Sequence, residues 1–176
     1  GGTATEGTDY NTISDITVSA GDLTGTASFT PTNDSVYEIN ETAIVSISSV
    51  SGADATESGT QSKTLTITAD GDAAPTVTLA SSATSIAENA GSSLTLTATL
   101  SNATNEDVTV GISTSGTGTE GTDYSTISDI TISAGATTGT ATFTPTDDNV
   151  YEGNETGIVA INSVSGGSAT EDGTQS

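Results

Sequence analysis

Four carboxylates are crowded into nine consecutive positions near the end of the sequence. Asp147, Asp148, Glu152 and Glu155 lie in the stretch TDDNVYEGNE. The chain contains a single Lys, Lys63, and no Arg or His, so no cationic side chain is close in sequence. Like charges at contact distance repel each other near a protein surface. Protonation, water and salt, or a bound cation must therefore relieve the repulsion in this loop.

A cation bound at this loop would be calcium rather than a transition metal. Clustered carboxylates and backbone carbonyls supply the oxygen ligands, about six to eight in number, that calcium prefers. The sequence has no Cys and no His, the ligands that favour zinc and copper. Magnesium demands stricter geometry, so a flexible acidic loop suits calcium better. The alternative interpretation is a solvated acidic loop without a specific site.

The acidic loop belongs to a tandem repeat. Residues 6–62 and 120–176 align without gaps at an offset of 114 positions, and 43 of the 57 aligned residues are identical. Such self-similarity is the signature of an array in which each copy is one structural unit. A full unit of about 114 residues has the size of a β-sandwich domain.

The sequence holds neither copy in full. Residues 1–73 correspond to the later part of one repeat, and residues 74–176 to the next repeat without its last strand. The first copy lacks a counterpart of residues 74–115, and the second lacks one of residues 63–73. Two hypotheses follow: the repetitive chain continues on both sides, which we favour, or neighbouring copies complete each other's sheets by strand addition.

The elements that must position the loop are short strands. Seven segments alternate apolar residues with Thr or Ser, namely TVTLA, SLTLTATL, DVTVGI, DITIS, TATFTP, GIVAI and KTLTITA. This period of two is typical of half-buried strands, and turn signals such as ENAGS and SNATNED separate them. No segment shows helical spacing over a useful length. The pattern predicts an all-β fold of tandem immunoglobulin-like antiparallel β-sandwiches, with about 114 residues per repeat.

Composition excludes several classes of function. The formal net charge of -22 argues against binding to nucleic acid or to anionic membranes. No apolar run approaches the roughly 20 residues of a membrane span, so we expect no membrane insertion in this segment. Without His, Cys or Arg we expect no enzyme, and an active site seldom recurs in every link of an array. A glycan-binding or protein-binding module stays open, although no aromatic cluster marks a binding surface.

Three motifs in order, SIAENAGSS, GTGTEGTDY and DDNVYEGNET, resemble the Calx-beta domain. The resemblance spans nearly the whole chain, as one partial and one nearly full copy. It implies immunoglobulin-like sandwiches, several of which bind calcium at one tip. The metal ligands that it implies are all acidic, and they fall on Glu88, Asp123, Asp147, Asp148, Glu152 and Glu155 in the second copy, on Asp9, Asp34, Glu38 and Glu41 in the first, and on Asp70 and Asp72 in the exit from the last strand. In the first copy Asn33 stands where the second has Asp147, so that site has one charge fewer.

The sequence therefore predicts an extracellular structural repeat of a large surface adhesin or fibre, in which calcium rigidifies the sandwich tips and the joints between repeats. Its expected partners are neighbouring repeats or identical subunits, with a cell-surface or matrix ligand as a further option. The alternatives are a subunit of an extracellular filament assembled by strand complementation, and a glycan-binding or protein-binding module.

Overall fold

A computed structural model describes residues 1–69 and 71–175 of the chain. By contacts the chain divides into two compact units. Unit 1 comprises Gly1–Asp34 and Ile39–Gly71, and unit 2 comprises Ser35–Glu38 and the residues from Asp72 onward. No helix in the described ranges is both long and apolar enough to cross a membrane.

The described residues are almost entirely strand and loop, as the sequence predicts. The strands are β1 (Glu41–Ser46), β2 (Ser62–Ile67), β3 (Thr76–Ser81), β4 (Leu94–Leu100), β5 (Val108–Gly116), β6 (Ile130–Ile132), β7 (Thr138–Phe143), β8 (Gly157–Ser165) and β9 (Thr170–Glu171), and one short 3₁₀ turn spans Glu88–Ala90. Each of the seven alternating segments of the sequence coincides with one of β2 to β8. The alternation was a reliable signal because successive side chains of a strand point to opposite faces.

Unit 2 contains two sheets. One has the strand order β7-β4-β3-β9, and the other has the order β6-β5-β8. In the second sheet, β5 is the central strand: Val108 pairs with Ile132, and Val110 pairs with Ile130. Along its other edge β5 pairs antiparallel with β8 over nearly its whole length, with an irregularity after Gly111.

The two sheets of unit 2 share one apolar core, which makes the unit a β-sandwich. Val77, Leu96, Ala98 and Leu100 come from the four-stranded sheet. The other sheet contributes the fully buried Val108, Val110, Ile130 and Ile132 together with Ile161. Thr side chains occupy the alternate, solvent-facing positions. Burial of β-branched residues on one face of each sheet is the main favourable contribution to folding that this sequence offers.

One strand pair of unit 2 departs from the antiparallel arrangement that the sequence predicts. β9 runs parallel to β3, with Thr170 opposite Thr76 and Glu171 opposite Val77. The backbone N–H of Thr170 donates to Pro75 O at 3.1 Å, and the N–H of Asp172 donates to Val77 O at 2.9 Å. β9 follows β8 in the chain, but it pairs with β3 of the opposite sheet. This is possible because β4 occupies only one edge of β3, and β9 adds to the other edge.

Unit 1 has a smaller core. β1 and β2 pair antiparallel, from Glu41 opposite Ile67 to Ser46 opposite Ser62. The buried apolar residues of this core are Ala4, Tyr10, Ala43 and Ile67. In both copies the Tyr of the GTDY motif packs on a Phe: the ring centroids are 4.7 Å apart for Tyr10 and Phe29, and 4.6 Å apart for Tyr124 and Phe143. This aromatic pair fixes the GTDY turn in each copy.

Candidate metal centre

A tight turn after β5 holds the first carboxylate of the site in unit 2. The N–H of Thr119 donates to Asp123 Oδ2 at 2.6 Å, and the N–H of Asp123 donates back to Thr119 O at 2.9 Å. The N–H of Thr146 donates to Asp123 O at 2.9 Å, which ties the turn to the segment after β7. Since the next residue, Tyr124, is buried in the core, the Asp123 side chain is directed away from it.

Glu120, in the same turn, has a structural role. Its Oε2 accepts a hydrogen bond from Thr114 Oγ1 at 2.6 Å, and its Oε1 accepts one from the N–H of Ile127 at 2.8 Å. The bond from Thr114, followed by that from Ile127, lowers the pKa of Glu120. Because hydrogen bonds of the protein favour its charged form, Glu120 stays ionised without a metal.

The loop between β7 and β8 brings two further carboxylates to Asp123. One carboxylate oxygen from each of Asp123, Glu152 and Glu155 lies within 4.8 Å of the other two. Glu152 and Glu155 are exposed, and Asp123 is half-buried. We call these three residues the acidic triad. Its members come from two separate segments of unit 2, so the fold, and not only the charge-rich loop, assembles the group.

Glu88 and Asp148 lie beside the acidic triad. The N–H of Asp148 donates to Glu88 Oε1 at 3.2 Å, so the 3₁₀ turn that carries Glu88 meets the acidic loop. Asp148 Oδ1 also accepts the N–H of Val150 at 2.6 Å, which folds the loop back on itself. Asp147 and Glu88 line the same surface depression, together with Ser93.

Loss of solvation and mutual repulsion raise the pKa of two glutamates in this group. Loss of solvation raises the pKa of Glu155, and the charge of Asp123, a hydrogen bond with Asp123 and the charge of Glu88 raise it further. Loss of solvation also raises the pKa of Glu152, with added contributions from the charges of Asp123, Asp148, Glu155 and Glu88. The two glutamates are exposed, so solvent screens part of this repulsion.

These shifts predict a dependence on pH with a definite sign. A carboxyl whose pKa is raised by folding favours the folded state below its ordinary pKa, and that contribution is lost as the pH rises through the raised value. Without calcium, Glu152 and Glu155 should therefore titrate above the ordinary glutamate value in a side-chain NMR titration. Calcium binding should weaken on acidification from pH 7 to pH 5, because protons and the ion compete for the same oxygens.

Glu120 is the internal control for that titration. Its pKa is lowered, so it should titrate below the ordinary value in the same spectra. A Glu155 that titrates at or below the ordinary glutamate value in chelator would contradict the loss of solvation and the repulsion that raise its pKa.

The first copy repeats part of this arrangement within unit 1. The N–H of Thr5 donates to Asp9 Oδ2 at 2.5 Å, as Thr119 does to Asp123. Burial and then the charge of Asp9 raise the pKa of Glu41, at the start of β1. The structure thus brings Asp9 and Glu41 of the predicted set together in unit 1.

The remaining predicted ligands are divided between the two units. Asp34 lies in unit 1, whereas Glu38 lies in the segment Ser35–Glu38, which belongs to unit 2. Asp72, partly buried ahead of β3, also belongs to unit 2, but the acidic triad does not include it. Asp70 lies outside the described residues.

Sequence reasoning missed the residues that orient the ligands. Thr119 and Thr114 were not singled out, yet one anchors Asp123 and the other anchors Glu120. A signal was present for the first: a Thr precedes the motif Asp by four positions in both copies, as Thr5 and Thr119. An identical spacing in both copies indicates a local hydrogen bond between the Asp side chain and the backbone.

The fold and the triad together define a class: an all-β, repeated sandwich module with an acidic, oxygen-only candidate metal centre formed by its loops. The Calx-beta domain family matches residues 1–71 and again residues 70–175. The chain therefore belongs to the Calx-beta family, as two tandem copies, and Calx-beta domains are known to bind calcium. No protein of curated function and no solved structure shows a significant match to the chain.

Proposed function

We propose that this chain is a calcium-braced structural repeat, in which the acidic triad is the primary calcium site of unit 2. The observation that carries the proposal is the approach of three carboxylates from two separate segments to within 4.8 Å of one another. The chain has one Lys and no Arg, so a cation from solution is the direct way to neutralise this group at neutral pH. Family membership supports the same conclusion.

The ligands fit calcium on chemical grounds. Asp123, Glu152 and Glu155 supply hard oxygen donors, and Glu88 and Asp148 lie close enough to add further oxygens. Exposed carboxylates on a loop leave room for water ligands and for the irregular geometry that calcium tolerates. The site holds no nitrogen or sulfur ligand, since the chain lacks His and Cys. In unit 1, Asp9 and Glu41 begin the equivalent site.

The consequence of binding is mechanical rather than catalytic, and we infer that the chain is not an enzyme. An ion held by the β5–β6 turn, the β7–β8 loop and the 3₁₀ turn would tie together three strand connections at one end of the sandwich. A ligand that binds only the folded state stabilises it by about 2.7 kcal/mol at a hundredfold excess over its dissociation constant. Each repeat is thereby stiffened at its tip.

We further propose the biological setting. Each repeat is an immunoglobulin-like sandwich of about 114 residues, with the boundary between residues 73 and 74, and the array forms part of an extracellular adhesin or surface fibre. Extracellular calcium, near a millimolar, would fill even sites with dissociation constants of about 10⁻⁴ M. Stiff tips would rigidify the joints between neighbouring repeats, which are the expected partners. The repetition of the GTDY turn and acidic loop in both copies supports a role in every link of an array.

The primary test is calcium binding to the full chain. Isothermal titration should show saturable calcium uptake, and scanning calorimetry should show a higher melting temperature in calcium than in chelator. Magnesium at equal concentration should have a smaller effect, because it dehydrates reluctantly and demands octahedral geometry. An absence of heat and of any melting shift at millimolar calcium would overturn the proposal.

A further inference from the structure

Two threonines join the segments that carry Asp123 and Glu155. The N–H of Thr156 donates to Thr117 Oγ1 at 2.9 Å, the N–H of Thr117 donates to Thr156 O at 3.0 Å, and the two hydroxyl oxygens lie 3.3 Å apart. We call this pair the threonine clasp. Thr117 directly follows β5, ahead of the turn that holds Asp123, and Thr156 lies between Glu155 and the start of β8. The clasp therefore connects the two segments that assemble the acidic triad.

Two glycines let the backbones at the clasp approach each other closely. Gly116, the last residue of β5, has a φ of 118°, a conformation that favours glycine, and a Cβ there would collide with Thr156 O. The N–H of Gly118 donates to the same oxygen at 3.1 Å. Thr156 O therefore accepts two successive N–H groups, which fixes the residue after Glu155 against residues 116–118.

The carboxylate of Glu155 lies over the backbone beside the clasp. A Cβ added at Gly118 would be 3.4 Å from Glu155 Oε2 and 3.5 Å from a ring carbon of Tyr124. Glu155 precedes one threonine of the clasp in the chain, and its carboxylate lies over the residue that follows the other. The clasp thus adjoins Glu155 both along the chain and in space.

The same clasp is present in unit 1. The N–H of Thr42 donates to Thr3 Oγ1 at 2.8 Å, and the two hydroxyl oxygens lie 3.5 Å apart. The N–H of Ala4 donates to Thr42 O at 3.0 Å. Thr42 directly follows Glu41, the counterpart of Glu155. The arrangement therefore occurs beside the equivalent glutamate in both copies.

A glutamate of the acidic triad needs a restraint of this kind when no cation is bound. One carboxylate oxygen of Glu155 lies within 4.8 Å of oxygens of Asp123 and Glu152, and like charges at such distances repel each other. Glu155 is exposed, so an unrestrained loop would let its carboxylate turn toward solvent and away from Asp123. The hydrogen bonds of the clasp hold the backbone beside Glu155 and oppose that movement.

We propose that Thr117 is a positioning residue of the calcium site: its hydroxyl holds the backbone at Thr156 and so keeps Glu155 beside Asp123 before the ion arrives. This role rests on the proposed function for its effect on calcium affinity, whereas the positioning itself belongs to the ion-free chain. Hydrogen-bonded partners orient the ligands of a metal, and their loss lowers metal affinity about 10–100-fold. A ligand that is already in place loses less freedom when the ion binds.

The first test compares Thr117→Val with Thr117→Ser in the full chain. Val keeps the branched shape but cannot accept the N–H of Thr156, whereas Ser keeps the hydroxyl. A calcium titration followed by the NMR amide signals of Gly118 and Gly157, which report on unit 2, should show affinity on the order of tenfold weaker for Thr117→Val. Thr117→Ser should bind nearly as tightly as the unsubstituted chain. Thr109→Val, exposed near the opposite end of β5, is the matched control and should leave the affinity unchanged.

Two results of that titration would overturn the proposal. One is an unchanged affinity for Thr117→Val, which would show that the hydroxyl does not act on the site. The other is an equal loss for Thr117→Ser, which would assign the effect to the methyl group rather than to the hydrogen bond.

A second measurement, made in chelator, separates this role from the calcium proposal. Glu155→Gln removes the repelled charge and should raise the melting temperature of unit 2 in the unsubstituted chain. In the Thr117→Val chain this gain should largely vanish, because the released Glu155 has already moved away from Asp123; such coupling is what a double-mutant cycle measures. A threonine that only stabilises the fold would leave the gain equal in both chains, and that result would overturn the positioning role. A gain that vanishes in a chain whose unsubstituted form takes up no calcium would confirm the positioning and refute the calcium proposal alone.

Discussion

Replacement of Glu155 by Gln is expected to have opposite effects with and without calcium. Without the ion, the carboxylate of Glu155 is disfavoured by desolvation and by the charges of Asp123 and Glu88, which raise its pKa. Gln has nearly the same shape but no charge, so Glu155→Gln should raise the melting temperature of unit 2 in chelator. With calcium, the lost charge should weaken binding on the order of tenfold or more, because affinity follows the number of charged ligands.

Scanning calorimetry in chelator and in excess calcium, with titration calorimetry for the affinity, measures both effects. Asp22→Asn is the matched control: it removes one charge from an exposed turn of unit 1 that lies outside the acidic triad. It should change neither the calcium affinity of unit 2 nor its melting temperature by a measurable amount. A Glu155→Gln variant that is less stable in chelator would show that Glu155 has a favourable partner, and equal calcium affinity would remove it from the site.

The direction of the pKa shift distinguishes a candidate metal site from a structural network of acidic side chains. In a network such as that of Glu120, hydrogen bonds of the protein stabilise the charge, and the pKa is lowered. In the acidic triad, loss of solvation and then repulsion between the carboxylates raise the pKa values of Glu152 and Glu155. Groups held together against their own repulsion are typical of functional sites. The fold stabilises this arrangement through the Thr119 turn and the buried ring of Tyr124.

Strand positions could be predicted from the sequence wherever the segment has at least one hydrogen-bonded neighbouring strand. Val108 and Val110 of β5 alternate with Thr, and both are fully buried, as the pattern implied. The pattern fails where the neighbour is missing. Residues 15–19 are DITVS and residues 129–133 are DITIS, yet only the second segment is a strand. A strand exists as part of a pair, so local sequence cannot determine it alone.

The parallel pairing of β9 illustrates a second limit. Its two residues, Thr170 and Glu171, carry no alternation and no strong β propensity as a pair. Their position follows from hydrogen bonds to the backbone of Pro75 and Val77, nearly a hundred residues earlier in the chain. Such a contact depends on the assembled sandwich and leaves no local signal.

The acidic residues of the candidate site were easier to predict from the sequence than the loop and turn that position them. Glu152 and Glu155 stood out as carboxylates without a cationic neighbour, because charge is visible in sequence, whereas Asp123 was implied only by the resemblance to the Calx-beta domain. Their convergence depended on the β7–β8 loop and on the turn before Tyr124, which pattern alone does not place in space. That Asp72 joins the ligands stays a prediction, and the acidic triad does not include it.

Substitution by Ala should lower the free energy of unfolding far more at Ile130 than at Ile16. Ile130→Ala removes a fully buried side chain that lies opposite Val110, and a cavity of this kind costs about 2–5 kcal/mol. Ile16 has the same neighbours in sequence but is 58% exposed, so Ile16→Ala should cost less than about 1 kcal/mol. Urea unfolding, monitored by hydrogen exchange in peptide fragments of each unit, measures the loss of stability in unit 1 and in unit 2 separately.

The pair also isolates the contribution of β5 to folding. Both substitutions remove the same atoms from the same local sequence, DIT, so intrinsic propensity and unfolded-state effects cancel in the comparison. The difference in cost is then the burial that the central strand confers on this position. In a chain that carries a second copy of residues 74–114 ahead of Gly1, Ile16→Ala should become about as costly as Ile130→Ala. Equal costs in the original chain would mean that another surface already covers Ile16 in solution.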